Sequence, residues 1–325
     1  MKSPATPHIV TVTMNPALDI HSSVPILQAT EKMRCSRPRY DPGGGGINVA
    51  RAAVRLGVPA TAVFTCGGPT GARIEALLAA EGIATGPLGI TGASRESLTV
   101  REVRTGQEYR FVLPGPDLTA TEEQHCLAAL DEYVRTADYA STATHLVVSG
   151  SLPPGCSDGF FPAVSAIADR HGCTLIVDTH GPALLRVRGA AVIKPSLREL
   201  REALDLPLPE TDSQIDAARA LIARGIADAV VVSRGAAGAL VVTTDQVTDV
   251  AGVPVGSGFG SGVGAGDNMV AGITVALARG RPLPDAVRYG AAAGAAATLT
   301  PGTEPCRRHD VERLYRPAPD SGAQK

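Results

Sequence analysis

One carboxylate stands out by the company it keeps. In the stretch 253–272, VPVGSGFGSGVGAGDNMVAG, seven glycines surround Asp267, and the chain then turns apolar as ITVALA, the body of a buried helix. Gly264-Ala265-Gly266-Asp267 therefore sits where a loop enters a helix. Glycines there let backbone N–H groups crowd around an anion without Cβ clashes. The unpaired N–H groups and the dipole of a helix start favour negative charge, on a phosphate oxygen or on a developing anion. An aspartate beside such a nest can take a proton from an attacking hydroxyl while the nest holds a phosphoryl group. The plainer alternative is a helix cap in which Asp267 only accepts N–H bonds.

Further glycine-rich stretches favour the chemical reading. Gly43-Gly44-Gly45-Gly46 precedes INVARAAVRLG, a helix closed by Gly57. Four successive glycines cost backbone entropy, which implies a close approach to that backbone. The run has neither the GxGxxG layout of a dinucleotide site nor the GxxxxGK[ST] layout of a P-loop. Asp19, Gly67-Gly68, Ser149-Gly150-Ser151, Asp178, Lys194, Ser233 to Gly235 and Asp267 all fall at ends of predicted strands. A parallel sheet gathers such ends along one edge, where ligands bind. Arg95, Arg101, Arg104 and Arg110 lie on an alternating pair of strands and are candidate anion contacts, or simply a solvated face. The seven histidines form no HExxH, and no GxSxG elbow with a triad is present. Phosphoryl transfer suits the inventory best, since it asks for backbone donors, one base, basic side chains and a divalent cation. Mg²⁺ would be held largely by water and phosphate, with Glu199 behind it.

The elements that must position these groups follow from pattern. His8 to Thr13 reads as a strand stopped by Asn15-Pro16, which puts Asp19 at the carboxyl end of the first strand. Residues 20–42, broken by Pro25 and Pro38, read as a loop or short strands outside the main sheet. ATAVFTC is a second strand, followed by a helix from Thr70 to Ala80. RESLTVREVRTGQEYRFVLPG alternates as two antiparallel strands turned at Thr105-Gly106. From residue 119 helices and strands alternate: helices at Thr121–Tyr133, SAIADRHG and DAARALIARGI, and strands at HLVVS, CTLIVD, AAVI and DAVVVS, with ALVVT antiparallel. A glycine-poor helix from Asp285 to Leu299 and a polar tail, frayed over 316–325, close the chain. Near-continuous apolar strands fit a sheet covered on both faces, hence an α/β fold.

Composition excludes several classes. The chain of 325 residues carries a formal charge of −2, so bulk attraction to nucleic acid or anionic lipid is not expected. Aromatics are 3% with no Trp, which leaves no stacking platform for bases. Six cysteines without CxxC spacing read as free thiols in a reducing compartment. Neither a secretion signal nor a bilayer-length apolar run is evident, so a soluble cytoplasmic protein is expected.

Taken together, NPALD (15–19), DPGGGGINVAR (41–51), GGPTG (67–71), SGSLPPG (149–155), KPSLREL (194–200), SRGAAGAL (233–240) and VGAGD (263–267) resemble the ribokinase-like sugar kinases, and specifically the phosphofructokinase B branch. The matches run in family order over nearly the whole chain. GGGG at 43–46, EKMRC at 31–35 and GQEYRFVLPG at 106–115 resemble the 6-phosphofructokinase pattern within it. 1-Phosphofructokinase and tagatose 6-phosphate kinase are the alternatives inside the class. A non-catalytic sugar-phosphate sensor is the alternative outside it.

The resemblance implies a single three-layer α/β/α domain with a small β-sheet lid from insertions near 16–42 and 92–113, and a homodimer through that lid. It implies transfer from ATP to the C1 hydroxyl of fructose 6-phosphate, with Mg²⁺, and with K⁺ as a further cation that the family suggests. Asp267 resembles the base, and Gly264, Ala265 and Gly266 the anion hole. Asp19, Gly44, Gly45 and Asn48 resemble contacts to sugar hydroxyls. Lys32, Arg95 and Arg110 resemble positions near the sugar phosphate, with Lys32 reaching across a dimer. Ser149 and Ser151 fall on the substrate side. Lys194, Ser196, Ser233, Gly235 and Gly238 resemble nucleotide contacts, and Glu199 a metal contact through water. Two departures are visible: Ser196 stands where the family often has Asn, and Gly262-Val263 where it has Ser/Thr-Val.

Overall fold

The computed structural model describes residues 7–136, 143–256 and 263–315. Gly262 and the stretch 316–325, on which two of the sequence expectations fall, lie outside the described residues. In chain order the elements are β1 (His8–Thr13), β2 (Ala17–Val24), β3 (Arg39–Gly43), α1 (Gly45–Arg55), β4 (Ala60–Cys66), α2 (Gly68–Ala80), β5 (Ala84–Gly89), β6 (Arg95–Glu102), β7 (Glu108–Val112), α3 (Ala120–Thr136), β8 (Ala143–Ser149), α4 (Phe160–His171), β9 (Thr174–Asp178) and β10 (Ala190–Ile193). Then come α5 (Leu197–Leu204), α6 (Thr211–Ala223), β11 (Ala227–Ser233), β12 (Ala239–Thr243), β13 (Val247–Val250), α7 (Ala265–Ala278), α8 (Leu283–Ala297) and α9 (Arg308–Leu314).

Nine strands form one sheet in the order β13-β12-β11-β10-β9-β8-β1-β4-β5, all running the same way except β12, which is antiparallel to both of its neighbours. Alternate side chains of each strand face opposite layers. Ile9, Val147, Ile176 and Val231 pack under α1, α2, α7 and α8, whereas Val10, Val12, Leu146 and Val148 pack under α3, α4, α5 and α6. This is the expected α/β/α sandwich. The strand order reverses at β1, between β4 and β8, and an open parallel sheet has its ligand crevice beyond the carboxyl ends at such a point.

The second sheet, in the order β3-β2-β6-β7, is built from two segments, one between β1 and α1 and the other between β5 and α3. Asp19 belongs to it. The sequence reading put this residue at the end of the first strand, but Asn15-Pro16 breaks β1 and the chain re-enters extended structure at Ala17, so Asp19 lies on β2 opposite Asp41 of β3 and Ser97 of β6. Helix starts follow local chemistry. Thr119 and Glu122 form a capping box before α3, with Thr119 N–H donating to Glu122 Oε2 at 2.9 Å and Glu122 N–H donating to Thr119 Oγ1 at 3.2 Å. The helix read as glycine-poor carries Gly290 and Gly294, which meet Gly272 and Met269 of α7 and bring the two helix axes close. A further short helix, α9, occupies what reads as polar tail, anchored by Tyr315 Oη donating to Asp285 at 2.7 Å.

Candidate active site

A cleft of about 300 Å³ opens between the carboxyl edge of the large sheet and one face of the small sheet. Its floor is the start of α7. Gly264, the N-cap, has φ 77°, a left-handed conformation that favours glycine, and leaves the first N–H groups of the helix without intrahelical partners. Asn268 pins that start: its Nδ2 donates to Gly264 O at 2.8 Å and its Oδ1 accepts the Cys306 N–H at 2.9 Å. Asp267, in the first turn, faces the cleft and accepts from Asn48 Nδ2 of α1 at 2.8 Å, across 219 residues of sequence.

Burial pushes the Asp267 carboxyl up to about 7, and nearby Asp178 adds to the effect, while the Asn48 bond, Lys194 and Arg110 oppose it. A carboxyl at that value is a base poised for neutral pH. Behind it lies a buried ion pair, Lys194 Nζ with Asp178 Oδ1 at 3.2 Å. Burial works against the Lys194 charge, but Asp178, Glu199 and Asp267 outweigh it and hold its pKa above normal. Ser149 Oγ donates to the other Asp178 oxygen at 3.4 Å.

The glycine run is explained by backbone conformation at Gly44, whose φ is 122°, and by close contact at its neighbours. A Cβ at Gly45 would sit 2.3 Å from Ser149 Oγ and 2.8 Å from Gly150 N, so α1 can start against the end of β8 only with glycine there. That contact seats Asn48 opposite Asp267. The small sheet closes the other side. Asp19 is buried, and burial raises its carboxyl to about 6, with Arg110 opposing, Asp41 adding, and Arg95 and Arg51 opposing. Arg95 is held in place by its own chain: Nη2 and Nε donate to Asn15 O at 3.1 and 3.2 Å, and Nη1 to Leu113 O at 3.3 Å. Asn15 Nδ2 donates to Ser151 Oγ at 3.1 Å.

Of the residues singled out by sequence, Asp19, Gly44, Gly45, Asn48, Arg95, Arg110, Ser149, Ser151, Glu199, Gly264 and Asp267 line this one cleft. Ala265 and Gly266 supply the backbone beside Asp267. Others stand elsewhere. Lys32 is exposed on the connection between β2 and β3 and does not line the cleft. Lys194 lies beneath the floor, paired as above. Ser196 is taken up by a helix end: its Oγ accepts the Glu199 N–H at 3.2 Å and its own N–H donates to Glu199 Oε2 at 2.8 Å, a capping box at the start of α5. Ser233 ends β11 beside Ser196 and Gly235 follows it, both outside the cleft lining, and Gly238 is packed against Val250 and Gly252 at the start of β12.

The sequence reading left Ser97, Thr179, His180 and Thr303 out of the site and gave Asp178 a place among the strand ends but no role, yet all five line the cleft. Asp178 carried a signal, its place at a strand end. Thr303 carried none, because the segment after α8 has no motif.

A parallel α/β sheet, a side sheet carrying Asp19 and two arginines, and an aspartate at a glycine-rich helix start together define a sugar kinase of ribokinase-like fold. The chain belongs to the pfkB family of carbohydrate kinases, whose pattern matches residues 12–310. It is 49% identical to ATP-dependent 6-phosphofructokinase isozyme 2 of Mycobacterium tuberculosis, over 95% of this chain and 89% of that protein. Phosphofructokinase-2 of Escherichia coli in complex with potassium has a TM-score of 0.86 at 38% identity, over 95% of this chain and 98% of that one. The same enzyme in complex with fructose-6-phosphate has a TM-score of 0.82 at 36% identity with the same coverage. A 1-phosphofructokinase of Xanthomonas campestris is 34% identical over 82% of this chain and 83% of that protein.

Proposed function

We propose that this chain transfers the γ-phosphoryl group of ATP to the C1 hydroxyl of fructose 6-phosphate, giving fructose 1,6-bisphosphate and ADP. The observation that carries the reading is Asp267: a cleft carboxyl with a pKa of about 7, fixed by Asn48 and next to unpaired helix N–H groups. The hydroxyl loses its proton to Asp267 as its oxygen attacks phosphorus. The backbone of 264–266, together with the buried Lys194 charge, stabilises the equatorial oxygens of the group in flight. Binding both reactants in one cleft supplies the orientation that a bimolecular reaction in water lacks.

The acceptor end suits a hydroxylated, phosphorylated ligand. Asn48 Oδ1 and Ser97 Oγ, both of cleft-lining residues, are buried without a hydrogen-bond partner, and sugar hydroxyls would satisfy such atoms. Asp19 can orient a hydroxyl, and Arg95 and Arg110 supply charge for the phosphate. The relatives named as 6-phosphofructokinases favour fructose 6-phosphate over fructose 1-phosphate and tagatose 6-phosphate as acceptor.

Among the described residues no three His, Cys, Asp or Glu side chains converge on a metal. Mg²⁺ would be carried by the nucleotide phosphates and water, with the Glu199 oxygen not engaged in the capping box as the protein's contribution. The ion would neutralise phosphate charge when bound. Potassium dependence is carried over from the potassium complex of the E. coli relative. Among the described residues no helix is long and apolar enough to cross a membrane. The proposed substrates, ATP and a sugar phosphate, place the reaction in the cytoplasm, where ATP is plentiful. A homodimer through the small sheet, acting as a lid, is supported by the exposed Leu98, Phe111 and Leu113.

The deciding experiment is kcat/KM on fructose 6-phosphate, fructose 1-phosphate and tagatose 6-phosphate with the wild type and Asp267→Asn. The wild type should prefer fructose 6-phosphate, and the variant should lose about 10²-fold or more in kcat. A sugar-phosphate-induced thermal shift without turnover would instead make the chain a sensor.

A further inference from the structure

The small sheet carries a histidine that the reaction described above does not use. His21 lies on β2 two residues beyond Asp19 and so on the same face of the sheet. The register places it in a cross-strand row: Arg39 of β3 opposite His21, His21 opposite Thr99 of β6, and Thr99 opposite Arg110 of β7. The adjacent row holds Asp41, Asp19 and Ser97. The ring therefore stands at the far end of the face that bears the acceptor's Asp19 and Arg110.

Its surroundings are neither neutral nor satisfied. The ring is largely covered, with its side chain 18% exposed, and Nε2 makes no hydrogen bond although Asp41 Oδ2 is only 3.4 Å away. That Asp41 oxygen is already used: it accepts from Arg39 Nη2 at 2.7 Å and from Thr303 Oγ1 at 3.3 Å. The charged groups around the ring are Asp41 and Arg39 from β3, Asp19 on its own strand, and Glu108 and Arg110 from β7. Burial lowers the His21 pKa below its usual value, Asp41 and Glu108 oppose this, and Arg39 and Arg110 reinforce it. The free protein thus holds a neutral imidazole with an open nitrogen between two arginines.

A phosphate dianion brought to Arg110 reverses that balance. It offsets the arginine charges that keep the ring neutral and gives the imidazolium a counter-charge. We infer that His21 is a further positioning residue for the acceptor, taking up a proton as the sugar phosphate binds and so adding a third cation to the Arg95 and Arg110 face. This rests on the acceptor reading given above. It goes beyond that reading by making acceptor affinity, and not only turnover, depend on pH through a residue that contacts no reacting atom.

Isothermal titration of fructose 6-phosphate into the whole protein at pH 7, in buffers of different ionisation enthalpy, counts the protons taken up on binding. The wild type should take up more protons than His21→Gln or His21→Thr. Two variants are used because threonine suits a strand and glutamine keeps an amide near Asp41. In kinetics, the wild-type KM for fructose 6-phosphate should rise between pH 6.5 and 8.5 by about three- to tenfold more than in either variant, with KM for ATP following the same course in all three. Equal proton uptake in wild type and variants overturns the inference. So does a loss of affinity in the variants that is the same at every pH, since a purely structural role predicts that result. A wild type that binds no fructose 6-phosphate fails the acceptor reading and takes this inference with it, whereas binding without extra proton uptake fails the inference alone.

Discussion

At the residue scale the site is a study in one carboxyl held at two opposing demands. Asp267 must be charged to accept a proton, yet burial beside Asp178 favours its neutral form. With a pKa of about 7 in the free protein, kcat/KM should fall tenfold per pH unit below about pH 6.5 and level off above about pH 7.5, as read from a pH–rate profile of the free enzyme. The same shift is a stability statement. The folded carboxyl binds its proton more tightly than the unfolded one, whose value is 3.8, so stability is greatest below pH 4 and is lost as the pH rises through about 7. Asp267→Asn should therefore raise Tm relative to the wild type at pH 8, and the gain should vanish near pH 4, as thermal denaturation at the two pH values would show. On the proposed function, the variant expected to lose activity is also the one expected to gain stability, as a group kept for chemistry would.

At the element scale, helix starts carry most of the site, and they do so in two ways. The start of α7 keeps its N–H groups unpaired and facing the cleft, because glycine rather than a capping side chain precedes it. The start of α5 does the reverse, since Ser196 and Glu199 satisfy each other. Ser196→Ala should consequently lower stability by about 1 kcal/mol, the usual size of a lost N-cap, and change KM for ATP by less than about threefold. A large change in KM for ATP with unchanged Tm would move Ser196 from the helix end to the nucleotide. The start of α1 depends on close approach. Gly45→Ala would drive a Cβ into Ser149 Oγ and the Gly150 backbone, and should displace Asn48 from Asp267, reducing kcat by about 10²-fold or more while the circular dichroism spectrum is retained.

At the scale of the whole molecule, the small sheet presents two unlike faces. Asp19, Arg95 and Arg110 look into the cleft, whereas Leu98 and Phe111, the latter 52% exposed, look away from it. Covering the second face with a twin copy would bury the apolar side chains and stiffen the strands that hold the acceptor. Phe111→Asp should shift the solution mass toward that of one chain, as light scattering would show, and raise KM for the sugar phosphate more than KM for ATP. A wild type that is already a single chain in solution removes the dimer proposal.

How much was legible beforehand differs by the range of the interaction. The α/β alternation, the antiparallel pairs β6-β7 and β11-β12 and the α7 start were readable because each depends on neighbours along the chain: alternation of apolar residues, glycine before a helix, proline after a strand. Helix α9 and strand β5 were not, since HDVERL and ATGPLG have weak local preference and are shaped by what they pack against. The order of residues already told which chemistry was available, through one aspartate among glycines and a set of arginines. Which of those groups meet came from the packing of the folded chain. Asn48 and Asp267 lie 219 residues apart, Thr303 reaches Asp41 across 262, and Lys194 is sealed against Asp178 instead of facing solvent. The physical reason is that a carboxyl's proton affinity follows from burial and from the charges around it, and both arise only when distant segments are packed together.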